Sequence, residues 1–191
     1  MLGIDWTSRQ WRKAMIEQYP YLLPRDAVTN EPVADYDYTY VEGELDLPEG
    51  WFDLFLQCCE DIKEPLVKAG RLDRFRFIQI KEKWGSMRLY AKAATEEVLN
   101  ILHKYEFLSQ QVCCVCGKPA TFQTSGYICP FCSEHIEEYR ATKEDCVKLT
   151  PKTKYTYRHW TSDGIEIPEL DCSDEWNRYL KSIDWEDTNN A

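Results

Sequence analysis

From Trp51 onward, apolar side chains recur every three or four positions: Phe52, Phe55 with Leu56, Cys59, Ile62 and Leu66. One face of an α-helix has that period, so a helix is predicted from Trp51, with Pro65 placed to kink or end it and Gly70 to stop it. A second stripe, Val98, Leu102, Tyr105 and Leu108, follows Thr95. The Thr95 hydroxyl suits an N-cap, and Glu96 and Glu97 fall at the positive end of the helix dipole. Between the two stripes the pattern changes. Arg74–Ile80 and Met87–Ala91 are β-prone runs on either side of the Gly85-containing segment Lys81–Ser86, and together they read as an antiparallel hairpin.

The flanking regions are less regular. Thr7 or Ser8 is placed to cap a helix through about Gln18, with Trp11, Met15 and Gln18/Tyr19 on one face and Pro20 ending it. Residues 20–50 carry Pro20, Pro24, Pro32 and Pro48, and the run Asp35–Tyr40 alternates Tyr with Asp or Thr. A loop is favoured there over an edge strand. Ser133 is expected to start a helix containing Ile136 and Tyr139. Lys152–Arg158 alternates as a strand does, and Ser173 is expected to cap a last helix bearing Trp176, Tyr179/Leu180 and Ile183. Glu186–Ala191 is a polar tail expected to fray. There is no internal repeat. The pattern predicts an α+β fold, helices packed on a small antiparallel hairpin or sheet.

The densest chemistry lies between Cys113 and His135, where five of the nine cysteines crowd together. Cys113-x-x-Cys116-Gly117 is a C-x2-C knuckle, and the second cluster offers Cys129, Cys132 and His135. Zinc takes four soft or borderline ligands in a tetrahedron, and two short turns at this spacing supply them. Cys113 and Cys116 are the better first pair, because Cys116 precedes Gly, and Cys114 would then point away. The second half is open. Cys129 with Cys132 gives four thiolates, and Cys132 with His135 gives three thiolates and an imidazole. Candidate ligands exceed four, so the ion is expected to be closed and structural.

Composition narrows the setting. The 191 residues are 43% apolar and 14% aromatic, enough for a real core. Cysteine usage at metal spacing, an odd cysteine count and no apolar run in Met1–Gln10 favour a reducing cytoplasm over a secreted disulfide framework. No apolar stretch approaches the roughly 18 residues that span a bilayer. A net charge of −10 opposes general nucleic-acid binding. The charge is uneven, however: residues 61–92 carry nine bases against four acids, while 1–60 carry twelve acids against four bases. Within the basic stretch, Arg74, Arg76, Lys81, Lys83, Trp84 and Arg88 form a basic and aromatic set able to hold a single strand by phosphate contact and stacking.

Gly50-Trp51-Phe52-Asp53-Leu54, Gln79–Tyr90 with its Lys-Glu-Lys-Trp-Gly core, and Cys113-x-x-Cys116-Gly117-Lys118-Pro119-Ala120 with Cys132-x-x-His135 occur in that order. In this they resemble an uncharacterised family of small zinc-binding proteins of bacteriophages and prophages, over about residues 50–137. The resemblance implies that Cys132 and His135 complete the metal site; Cys129 departs from the family pattern.

The resulting organisation is an α+β core with a central hairpin over 1–110, a zinc-binding, zinc-ribbon-like module over 111–140, and a C-terminal extension over 141–191 packed on the core. The expected function is a non-enzymatic, zinc-stabilised interaction protein of phage type. Its partner would be a host or phage protein met in the host cytoplasm, and it would act for example as an inhibitor of a host factor. The alternative is a small nucleic-acid-binding zinc-ribbon protein using hairpin residues 74–90. Glu134-His135 beside a knuckle superficially fits a His-Asn-His nuclease, but such a site needs further His and Asn downstream. The one His that follows is His159, and Asn177 is distant. Lys81–Ser86 lacks the glycine and lysine spacing of a phosphate-binding loop.

Overall fold

The computed structural model describes residues 15–26, 28–32, 41–42, 45–138 and 145–184. The run Asp35–Tyr40, the part of the expected N-terminal helix before Met15, Tyr139 and the polar tail lie outside the described residues. Met15–Gln18 is helical, as expected, and a 3-10 turn, Pro20–Leu22, follows.

The first long helix, α1 (Phe52–Lys68), is entered through a 3-10 turn at Glu49–Trp51 and buries Phe52, Phe55, Cys59, Ile62 and Leu66, the predicted stripe, together with Leu54 and Cys58. Pro65 neither ends nor interrupts it. It leaves Asp61 O without its usual i+4 donor, while the ladder beyond it goes on, Ala69 N–H donating to Pro65 O at 3.0 Å. The second helix, α2 (Glu96–Ser109), starts at Thr95, whose hydroxyl accepts the Val98 N–H at 3.2 Å.

The second helix packs on a three-stranded sheet and on the first helix, which reaches the same sheet through Phe55. The sheet's members are β3 (Leu45–Asp46), parallel to β4 (Arg76–Lys83), and β5 (Ser86–Lys92), antiparallel to β4. The strands run further than predicted, and the expected six-residue connection shrinks to Trp84-Gly85. Both residues have positive φ, 55° and 72°, as a type I′ hairpin turn requires. Lys81–Lys83 looked like turn because the strand is polar here. Lys81 and Lys83 face outward, and Glu82, at the rim, accepts the Gly85 N–H at 2.8 Å. Phe75 and Phe77 pack edge-on at 5.2 Å, and Phe77 also meets Phe55 at 5.7 Å. As an edge strand β5 has unpaired amides, and α2 answers them: Ser109 Oγ accepts from Met87 N–H and Glu106 Oε1 from Leu89 N–H.

A left-handed backbone suits glycine and strains a large side chain by about 1 kcal/mol or more. Trp84 carries that strain while 69% exposed, its ring 4.5 Å from Lys83 Nζ. Trp84→Asn is expected to relieve about 1 kcal/mol, against about 0.5 kcal/mol for the exposed cation–π contact. Urea unfolding should therefore give an unchanged or higher midpoint; a clearly lower one contradicts this account of the turn.

The remaining elements surround this core. Short strands β1 (Arg25–Asp26) and β2 (Val41–Glu42) pair antiparallel. A second sheet, order β7-β6-β8, joins β6 (Phe122–Thr124), β7 (Pro130–Phe131) and β8 (Cys146–Lys148). The expected strand at Lys152–Arg158 is present as β9 (Lys154–Thr156). Its partner is β12 (Glu169–Asp171), and between them β10 (His159–Thr161) and β11 (Gly164–Glu166) form a hairpin. Tyr155 stacks on Phe107 of α2 at 4.5 Å, and the Tyr157 hydroxyl donates to Asn100 Oδ1.

The short helix α3 (His135–Glu138) begins two residues after Ser133, and α4 (Ser173–Ser182) closes the described chain. Ser173 is the first residue of α4, not its cap; its N–H and hydroxyl both donate to Asp171. Trp176 and Tyr179 of α4 are buried, and Lys104 of α2 pairs with Glu175 at 2.7 Å. Among the described residues no helix is long and apolar enough to cross a membrane.

Candidate metal centre

At the end of α2 the chain passes Val112, which bridges to Pro119, and turns tightly through the first knuckle. Gly117 N–H donates to Cys113 O at 3.0 Å, Cys113 N–H to Lys118 O at 2.8 Å, and Gly117 has φ 78°, so the Cys-Gly pair makes the turn anticipated from sequence. The second knuckle follows β7. Cys132 O accepts the Ile136 N–H at 3.0 Å, which starts α3 and swings His135 back over Cys132.

Cys113, Cys116, Cys132 and His135 then meet, with all ligand atoms within 4.8 Å of one another. His135 Nδ1 lies 3.2 Å from Cys132 Sγ and 3.7 Å from Cys113 Sγ, and Cys116 and Cys132 sulfurs are 3.8 Å apart. A tetrahedral ion bonded to sulfur at about 2.3 Å spaces its ligands about 3.8 Å apart, with sulfur–nitrogen edges slightly shorter. Three of the six ligand–ligand distances lie near these values, so the cluster is able to hold a metal ion. The Cys116 thiol resists ionising by itself: burial chiefly, with the neighbouring Cys113 and Cys132, pushes it up to about 12. A bound dication would reverse that order, because it is the largest local charge.

Cys129 takes no part in the cluster. Cys114 N–H donates to Pro130 O at 3.0 Å, which lays the knuckles side by side and turns Cys129 toward Cys114, their sulfurs 3.3 Å apart. Cys114 thus points away from the cluster, as expected. The hydrogen bond they share holds Cys129 below the ordinary thiol range and pushes Cys114 above it.

Sequence reasoning missed what clamps the site. Gly50 N–H donates to Cys114 O at 3.0 Å, and the wholly buried Trp51 indole donates to Val112 O at 2.9 Å. A Cβ on Gly50 would stand 2.2 Å from Cys113 O. From the other side the Tyr179 hydroxyl donates to Gly117 O at 2.6 Å. The hairpin tip reaches the second knuckle, where a Cβ on Gly85 would meet Ile128 Cγ2 at 2.7 Å and Tyr127 OH donates to Glu82. The Gly50-Trp51, hairpin and cysteine motifs thus converge in space. Their order along the chain was the one signal that pointed to this.

The basic set divides. Register pairs Lys81 with Arg88, Gln79 with Tyr90 and Arg76 with Lys92 on the outer sheet face, with Lys83 on the same side. Trp84 stands at the tip, and Tyr90 is 46% exposed. Arg74 lies before β4, off the sheet, and Phe75 and Phe77 belong to the core. His103 bonds Glu106 and packs at a tilt against Tyr157, away from the metal cluster. No family model matches this chain, and no curated protein or solved structure matches it either. The resemblance to the phage family therefore rests on the motif residues themselves.

Proposed function

We propose that Cys113, Cys116, Cys132 and His135 hold one structural zinc in a zinc-ribbon-like module, and that the chain is a non-catalytic, phage-type interaction protein. The observation that carries this reading is that protein atoms supply four converging ligands. A catalytic zinc keeps one position open for water, whereas four protein ligands close the shell. The module's contacts with α1, α4 and the hairpin tip make the ion a brace for a surface. With a net charge of −10, the favoured partner is a host or phage protein with a basic face, met in the host cytoplasm. Inhibition of a host factor is one form this takes. Zinc-replete protein immobilised in bacterial lysate should retain a stoichiometric protein partner that survives nuclease treatment. Recovery abolished by nuclease would contradict the protein-partner reading.

A second reading is favoured by the outer face of β4–β5, where Lys81, Lys83 and Arg88 lie near exposed Tyr90 and Trp84. Cations that track phosphates and rings that stack on bases suit a single strand. Its mark would be a gel shift with a single-stranded oligonucleotide that weakens steeply with salt and is lost in Lys81→Glu/Arg88→Glu.

A further inference from the structure

The cysteines that the metal cluster leaves over are not equivalent. Cys58, Cys59 and Cys172 are sealed in the core at 0% exposure. Cys114 and Cys129, at 7% and 8%, both line a cavity of about 700 Å³ walled by Glu49, Val115, Thr124 and Tyr127. Both residues therefore border a space large enough for a small molecule. Their approach to 3.3 Å is fixed by backbone, since the Cys114 N–H to Pro130 O bond ties one knuckle to the other beside them. A disulfide would close that 3.3 Å separation to about 2.05 Å.

We propose that Cys114 and Cys129 form a redox-active dithiol, distinct from the metal ligands, that hydroperoxides oxidise to a disulfide joining the two knuckles. One sulfur attacks the peroxide: an S–O bond forms, the O–O bond breaks, and the departing oxygen leaves as water or an alcohol with that thiol's proton. The second sulfur attacks the resulting sulfenic acid. The S–S bond forms, the S–O bond breaks, and hydroxide leaves as water with the second thiol's proton. Two thiols give up two electrons and the peroxide accepts them, so no other reactant is needed. The product bridges the same two turns as the cluster, and it spends none of the cluster's four ligands.

Full-length protein, as purified, is treated with a few equivalents of hydrogen peroxide, alkylated, digested without reduction and mapped by mass spectrometry. The expected result is a loss of two free thiols per chain, a Cys114–Cys129 cross-linked peptide, unchanged metal content and full reversal by dithiothreitol. Cys114→Ser should leave Cys129 as a dimedone-trapped sulfenic acid. The proposal is overturned if both cysteines are alkylated after treatment, if Cys129 pairs with Cys146 instead, or if Cys113, Cys116 or Cys132 oxidises first with release of metal. Because the cross-link is read by mapping, it stands or falls separately from the identity of the ion.

Discussion

Gly50→Ala is expected to destabilise the protein by about 3 kcal/mol, the upper end of the usual range for an overpacked core. The added methyl carbon would lie 2.2 Å from Cys113 O, 2.7 Å from Gly117 N and 2.8 Å from Cys114 C. All three are backbone atoms of the first knuckle, so no side-chain rotation makes room. Either the knuckle moves off α1, stretching the Gly50–Cys114 hydrogen bond, or the Trp51 indole loses Val112 O. Both routes disturb the metal cluster, so weaker metal retention should accompany the lower urea midpoint. Gly70→Ala is the control. Gly70 has φ 61° and nothing within 4 Å of the added carbon, so backbone strain of about 1 kcal/mol is the whole expected cost. Equal losses in the two variants would contradict the docking of Gly50 on the knuckle.

Cys113→Ser and Cys116→Ser are expected to have the largest effect on metal binding. Structural zinc binds with an apparent free energy of about 10–16 kcal/mol. Shared among four ligands, that makes each worth about 3 kcal/mol, roughly a hundredfold in affinity. Because the unfolded chain has no preformed site, the lost affinity appears as lost folding. Hydrogen exchange should lose protection mainly over residues 110–138, while the β4–β5 hairpin and α1 keep most of theirs. Cys58→Ser and Cys172→Ser leave polar hydroxyls in sealed positions and should cost stability without changing metal content. Equal metal loss from Cys172→Ser would mean the site lies elsewhere.

What could be read from sequence was local. The stripes of α1 and α2 and the Thr95 cap were legible because one face of each helix is buried throughout. The hairpin was legible in kind but not in width. Outward Lys81 and Lys83 alternate with Glu82, whose carboxylate serves the Gly85 amide and Tyr127, and a polar inward residue at a sheet rim looks like turn. Cys113 and Cys116 stood out through the following glycine. His135 and Cys129 could not be separated by spacing, because the choice is made between distant segments. Cys114 bonds Pro130, and this faces Cys129 toward Cys114 and leaves Cys132 with His135 at the cluster. The clamps at Gly50, Trp51 and Tyr179 are likewise non-local, linking residues more than 60 positions apart in chains of contact that no periodicity records.

X-ray absorption at the zinc edge, with elemental analysis of protein purified without added metal, tests the central claim most directly. The expected result is close to one zinc per chain, with three sulfurs at about 2.3 Å and one nitrogen at about 2.0–2.1 Å. A fully folded protein without metal, or a shell of four sulfurs with Cys129 in place of His135, would contradict it.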